Sequence, residues 1–151
     1  MGATHLSGPI IAGNLQTGDT NGPNQGAVNL MQLTSITQNS TTAVSSTLYI
    51  PAGSIITDVH VDVLTAFNSA TSATLSIGLT AGGTEYVSGV NVKAATGRIA
   101  PTFTAAQLAA MDGVTVLGVA APTTAPVVVT VTPVGATSAG YVFVTIFYVQ
   151  Q

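Results

Sequence analysis

Cysteine and tryptophan are both missing from this chain. Without thiols there is no disulfide framework, no zinc knuckle and no thiol nucleophile. Charge is almost missing too: two basic and five acidic side chains make up 5% of 151 residues, where about 25% is usual. Lys93 and Arg98 are the only basic groups and the formal net charge is −3. So few cations leave no footprint for a phosphate backbone or an anionic bilayer, so neither nucleic-acid binding nor polybasic membrane attachment is expected. Long hydrophobic runs are lacking as well. The longest, Tyr141 to Val149, is interrupted by Thr145 and falls far short of the roughly 20 residues of a spanning helix. The opening MGATHLSGPII has no basic segment leading into an apolar one, so no secretory signal is expected.

What is present is apolar and hydroxylated. Hydrophobic residues make up 46% of the chain, mean hydropathy is +0.55, and there are 24 threonines. Scaling gives a folded surface of about 7,000 Å², over which seven charges are very thinly spread. The exterior must then consist of Thr, Ser, Asn, Gln, Gly and exposed apolar groups, a surface better suited to a covered molecule than to a free monomer.

The length fits one domain preceded by an arm. Residues 1–27 hold six Gly and two Pro and end in GDTNGPNQG, which reads as an extended N-terminal arm. Residues 28–151 read as the folded domain. Period-two alternation predicts strands over 28–37, 42–50, 55–66, 73–79, 84–92, 114–120, 127–133 and 141–149. Gly89 weakens the fifth. Pro51-Ala52-Gly53 suits a type I turn, which predicts a hairpin between the second and third strands. In the third, Val59, Val61 and Val63 share a dry face, while Asp58, His60 and Asp62 share a wet one. One helix is expected over 105–111: Thr104 as N-cap, Gln107 completing a capping box, Phe103 stapling onto Leu108, Gly113 as the stop. Eight short strands with Gly, Pro, Asn and Ser turns predict an all-β fold. The expected form is an antiparallel, jelly-roll-like β-sandwich with one short helix.

Chemistry is scarce. None of the G-x-S-x-G, G-x-G-x-x-G, Walker or H-E-x-x-H signatures occurs, so no enzyme, catalytic residue or cofactor is expected. The one cluster is Asp58-x-His60-x-Asp62. Same-face neighbours on a strand lie about 7 Å apart and the two Asp about 13 Å apart, so the three cannot converge on one ion. A solvated strand face is the expected reading, and no metal site is assigned. A metal-dependent hydrolase using His60 is the enzymatic alternative. Asn39-Ser40-Thr41 matches a glycosylation sequon but is expected to be a polar turn. The four tyrosines, Tyr49, Tyr86, Tyr141 and Tyr148, are expected chiefly in core packing rather than as sugar platforms.

The final strand places Tyr141, Phe143 and Phe147 on one face and Val142, Val144, Ile146 and Tyr148 on the other. Both faces are apolar. A strand dry on both sides of a two-layer sandwich needs a second cover: the helix, the N-terminal arm or another subunit. Leu6, Ile10, Ile11 and Leu15 give the arm more apolar anchoring than a pure spacer carries. These four, with Tyr141, Phe143 and Phe147, are the candidate interface residues.

Three stretches carry a resemblance: STLYIPAGSIITDVHVDVLTAFNSATSATLSIG, the capped FTAAQLAAM, and VTVTPVGATSAGYVFVTIFYV. Together they look like the small β-sandwich decoration, or cement, proteins of tailed bacteriophages, over roughly residues 42–150. The resemblance implies a non-enzymatic virion protein, made in the host cytoplasm, that binds the exterior of the major capsid protein lattice. It also implies a homo-oligomer, trimeric in many such proteins, that stabilises the expanded shell. The alternative of another class is a receptor- or carbohydrate-binding module of a tail fibre, which would place exposed aromatics beside Asn and Asp on a loop face.

Overall fold

The computed structural model describes residues 29–51, 54–93, 96–112 and 125–150. The arm, with Leu6, Ile10, Ile11 and Leu15, and the expected 114–120 strand lie outside these residues. Among the described residues, eight strands and one helix follow in order: β1 Asn29–Thr37, β2 Val44–Ile50, β3 Ser54–Thr65, β4 Ser72–Gly78, β5 Val87–Asn91, β6 Gly97–Ile99, α1 Ala105–Met111, β7 Ala125–Val134 and β8 Tyr141–Gln150. They form two four-stranded antiparallel sheets, ordered β1-β8-β3-β6 and β2-β7-β4-β5. We call them sheets A and B. The chain crosses between them at nearly every connection, which is the strand order of an eight-stranded jelly roll.

The expected hairpin at Pro51 is therefore corrected. β2 pairs with β7 in sheet B, whereas β3 pairs with β8 and β6 in sheet A. A type I turn reverses direction equally well between sheets as within one, and the local residues do not distinguish the two outcomes. The three-residue β6 gave no periodic signal at all. Gly89 sits at φ +68° beside a register shift between β4 and β5, so the interruption marks a bulge and not a strand end. The strand itself is shorter than expected, because 84–86 belongs to the preceding turn.

Between the sheets, alternate side chains pack into one core. Sheet A contributes Val59, Val61, Val63, Val142, Val144 and Ile146; sheet B contributes Leu75, Ile77, Val127, Val129 and Val131, each at most 1% exposed. Burying a side chain of this size contributes up to about 1.5–3 kcal/mol, so this stripe pair carries the fold. Gly140 lies directly under the ring of the buried Phe67, where any Cβ would collide with it. The 135–140 segment is tied down further. Asn68 Oδ1 accepts from the amides of Ser138 and Ala139 at 2.9 and 3.0 Å, and the Ser69 and Thr137 hydroxyls meet at 2.8 Å.

The helix spans the expected residues. Thr104 Oγ1 accepts from the Gln107 amide, and Gln107 Oε1 accepts from the Thr104 amide at 2.9 Å, completing the capping box. Phe103 packs against the core and Leu108 is 53% exposed, so the expected Phe103 to Leu108 staple gives Leu108 little cover. Gly113 lies outside the described residues. Gln107 also donates through Nε2 to the Thr84 carbonyl at 3.0 Å, and Met111 enters the inter-sheet core. This binds α1 to the rim of the sandwich, beside the β4 to β5 turn.

Candidate functional site

The register of sheet A builds its outer face row by row. β8 runs between β1 and β3, so each outward β8 side chain has a neighbour on both sides. Met31, Phe147 and Asp58 form one row; Leu33, Thr145 and His60 the next; Ser35, Phe143, Asp62 and Arg98 the third; Thr37, Tyr141 and Thr65 the last. A bulge between Ile56 and Asp58 sets the parity that turns Asp58, His60 and Asp62 outward together while Val59, Val61 and Val63 stay buried. The wet and dry sides expected of β3 are both observed.

The candidate residues Tyr141, Phe143 and Phe147 all lie on this outer face, each half-buried. Tyr141 and Phe143 meet edge to face, with ring centroids 5.1 Å apart; Phe147 meets the His60 ring in the same manner at 4.7 Å. Flanking them on β1, Met31 is 68% and Leu33 56% exposed, and Leu64 on β3 is 53% exposed. The helix does not cover this face, since its buried residues Gln107 and Met111 turn toward the Thr84 turn and the core. Of the three covers weighed from the sequence, the helix is thus removed.

On the far side of the aromatic row the face becomes ionic. Arg98 grips Asp62 through two bonds, Nε to Oδ1 at 2.8 Å and Nη2 to Oδ2 at 3.0 Å. That guanidinium, by hydrogen bond more than by its charge, holds the Asp62 carboxyl below its usual range. Asp58 Oδ2 meets His60 Nε2 at 3.0 Å, while its Oδ1 accepts from the Val59 amide at 2.7 Å. The two carboxylates are therefore committed to different partners. Among the described residues, no group of three or more His, Asp or Glu side chains is placed to hold a metal ion. The arrangement is an aromatic centre with an apolar border on one side and a charged rim on the other, which is how protein interfaces are built.

The tyrosines divide. Tyr86 and Tyr148 are buried, as core packing requires, and burial together with the nearby Glu85 pushes the Tyr86 phenol up. Tyr49 is 60% exposed on the outer side of sheet B, and Tyr141 is on the outer side of sheet A, so neither is a core residue. The exposed aromatics sit on strands, not on a loop beside Asn and Asp. Asn68, on the nearest long loop, is committed to Ser138 and Ala139.

Met31, Leu33 and Arg98 escaped the sequence reading. In β1 both faces carry apolar residues, so alternation alone does not reveal which side meets Phe147. Only the pairing with β8 shows it. Arg98 lies on a strand too short for any periodic signal.

No protein-family model and no curated protein sequence matches the chain. Among solved structures it is similar to a chain of the cyanophage Pam1 capsid asymmetric unit, with 21% identity, a TM-score of 0.57 and full coverage of both chains. At that identity the likeness shows a shared fold.

Proposed function

We propose that this protein is a structural component of a phage virion that binds the exterior of the major capsid protein lattice and stabilises the head. The observation that carries the reading is the aromatic outer face of sheet A, which no described segment covers, in a chain with only seven charged side chains. The likeness to a chain of a phage capsid asymmetric unit supports it, as do the jelly-roll strand order and the resemblance of the 42–150 stretch to decoration proteins. The role is one of binding, with no catalytic chemistry. Phe143, Phe147 and Tyr141 supply the buried centre of the contact, Met31 and Leu33 its apolar border. Because Arg98 already neutralises Asp62, the rim brings to the lattice one carboxylate without a fixed counter-charge, Asp58, which is hydrogen-bonded to His60.

The mechanism is avidity. Each copy touches more than one lattice subunit, so expansion or rupture has to break several modest contacts together. Segment 1–27 adds a second attachment in this reading, and deletion of residues 1–20 lowers shell occupancy without changing the fold. Binding changes little between about 0.05 and 0.5 M salt, since few ion pairs are available to screen. The deciding experiment is electron microscopy of the purified protein mixed with empty shells. Regular added density on the lattice is the expected result. Bare shells, together with measurable glycan binding, would move the assignment to a tail-fibre module.

A further inference from the structure

The outer face of sheet A holds two carboxylates, and they are provided for differently. Asp62 has the Arg98 guanidinium on both of its oxygens. Asp58 has the Val59 amide on Oδ1 at 2.7 Å and, on Oδ2, the His60 ring at 3.0 Å. An ionised carboxylate only accepts, so His60 Nε2 carries the hydrogen of that bond whether or not the ring is charged. Nδ1 is therefore the nitrogen that gains or loses the proton, and no described residue bonds to it. The ring also stands edge to face with Phe147, centroids 4.7 Å apart, which ties the pair to the aromatic row. Its side chain is 29% exposed and that of Asp58 52%, so water reaches both.

We infer that docking through this face is coupled to uptake of one proton by His60, so that the protein holds its partner more tightly in mild acid. The inference rests on the reading of sheet A as the docking face. Among the described residues, the charged or titratable groups facing the ring are Asp58 and Asp62 on β3 and Arg98 on β6. Thr145 and Phe147 on β8 and Leu33 on β1 carry no charge, and Tyr141, the one titratable group on the outer side of β8, lies two rows away. With His60 neutral the face has one net negative charge, because two carboxylates share a single guanidinium. With His60 protonated it has none. Docking strips water from Asp58, and a carboxylate without a counter-charge resists that far more than one half of an ion pair does. The proton supplies the missing cation in place, at a ring already bonded to the carboxylate, and histidine is the side chain whose charge changes between about pH 5 and 8. The bound protein thus holds this proton more tightly than the free protein. Its contribution to binding is complete in acid and is lost as pH rises through the bound value.

The test is co-sedimentation of the full chain with empty shells at about pH 6 and pH 8, paired with titration calorimetry in two buffers of different ionisation enthalpy, which counts protons. The unaltered chain is expected to bind at least about fivefold more tightly at the lower pH and to take up protons on binding. His60→Gln is expected to bind with the same affinity at both, and His5→Gln, which removes the other histidine, to keep the pH dependence. Asp58→Asn is expected to invert it: with no carboxylate to answer, burying a charged ring is unfavourable, so binding weakens in acid and releases protons. A purely structural role for the pair would not reverse the sign. Affinity that is flat or rises with pH would mean that the lattice supplies its own cation to Asp58, and overturns the inference, as does a pH dependence that survives His60→Gln. Binding without proton uptake removes this inference alone; bare shells at both pH values remove the shell-binding reading and this inference with it.

Discussion

Sheet A and sheet B each have four strands and a central strand of ten residues, but the middles of their outer faces carry different chemistry. The outward residues of β8 are Tyr141, Phe143, Thr145, Phe147 and Val149, all half-buried. Those of β7 are Pro126, Val128, Thr130, Thr132 and Val134; around the two threonines lie Ser45 and Thr47 on β2 and Thr74 and Ser76 on β4, while Tyr49 beside Pro126 and Val134 at the other end are exposed. The middle of sheet B completes itself. Thr130 is 2% exposed, shares a hydrogen bond with Ser45 at 2.9 Å and accepts from the Gly82 amide at 2.9 Å, so the 79–86 turn lies over that face. No described segment does the same for sheet A. One face is closed at its middle by its own loop and hydroxyls; the other carries at its middle an aromatic row that no described segment covers.

The comparison breaks most visibly if charge is placed on the aromatic row. Phe143→Asp combined with Phe147→Asp is expected to lower shell binding by about 100-fold or more, since a cluster of this kind commonly carries over 2 kcal/mol per anchor. Thr47→Asp with Thr132→Asp, at exposed positions on sheet B, is expected to leave binding within about threefold. Co-sedimentation with shells reads both, and circular dichroism checks the fold. Equal losses from the two faces would mean that chemistry does not select the docking side.

The contrast was only half visible beforehand. Period-two alternation in YVFVTIFYV announces a strand dry on both sides, and the Asp58, His60, Asp62 set announces the wet side of β3, because each pattern lies within a single strand. Which strands lie next to one another is set by non-local pairing. Met31 and Leu33 became part of the aromatic face only through the β1 to β8 register, and the Pro51 turn led across the sandwich for the same reason. The capping box of α1 was legible to the residue, being wholly local, but where the helix docks depends on Thr84 and the core.

A second, smaller effect sharpens the account of sheet B. Thr130→Val keeps the shape but leaves the Gly82 amide and the Ser45 hydroxyl without their partner. Stability should fall by about 1–2 kcal/mol with no change in shell binding, as read by denaturant unfolding and co-sedimentation. A loss of binding would show that the covered face is also a docking face.

The smallest effect concerns the ionic rim. Asp62 is held below its ordinary carboxylate range by Arg98, so the contribution of its charged form is present above about pH 4. It is lost as pH falls through the lowered folded value. Asp62→Asn should therefore lower the melting temperature slightly at neutral pH, by less than Thr130→Val, because solvent screens an exposed pair. The difference from the unaltered chain should vanish in acid. A difference that persisted in acid would assign the effect to packing and not to charge.

The chain carries its own reporter of which face is covered, since Tyr141 lies on sheet A, Tyr49 on sheet B, and Tyr86 and Tyr148 are buried. Nitration of the accessible tyrosines, free and shell-bound, compares the faces in one sample. The account predicts that binding protects Tyr141 and leaves Tyr49 as reactive as before. Protection of Tyr49 with Tyr141 still reactive would contradict it.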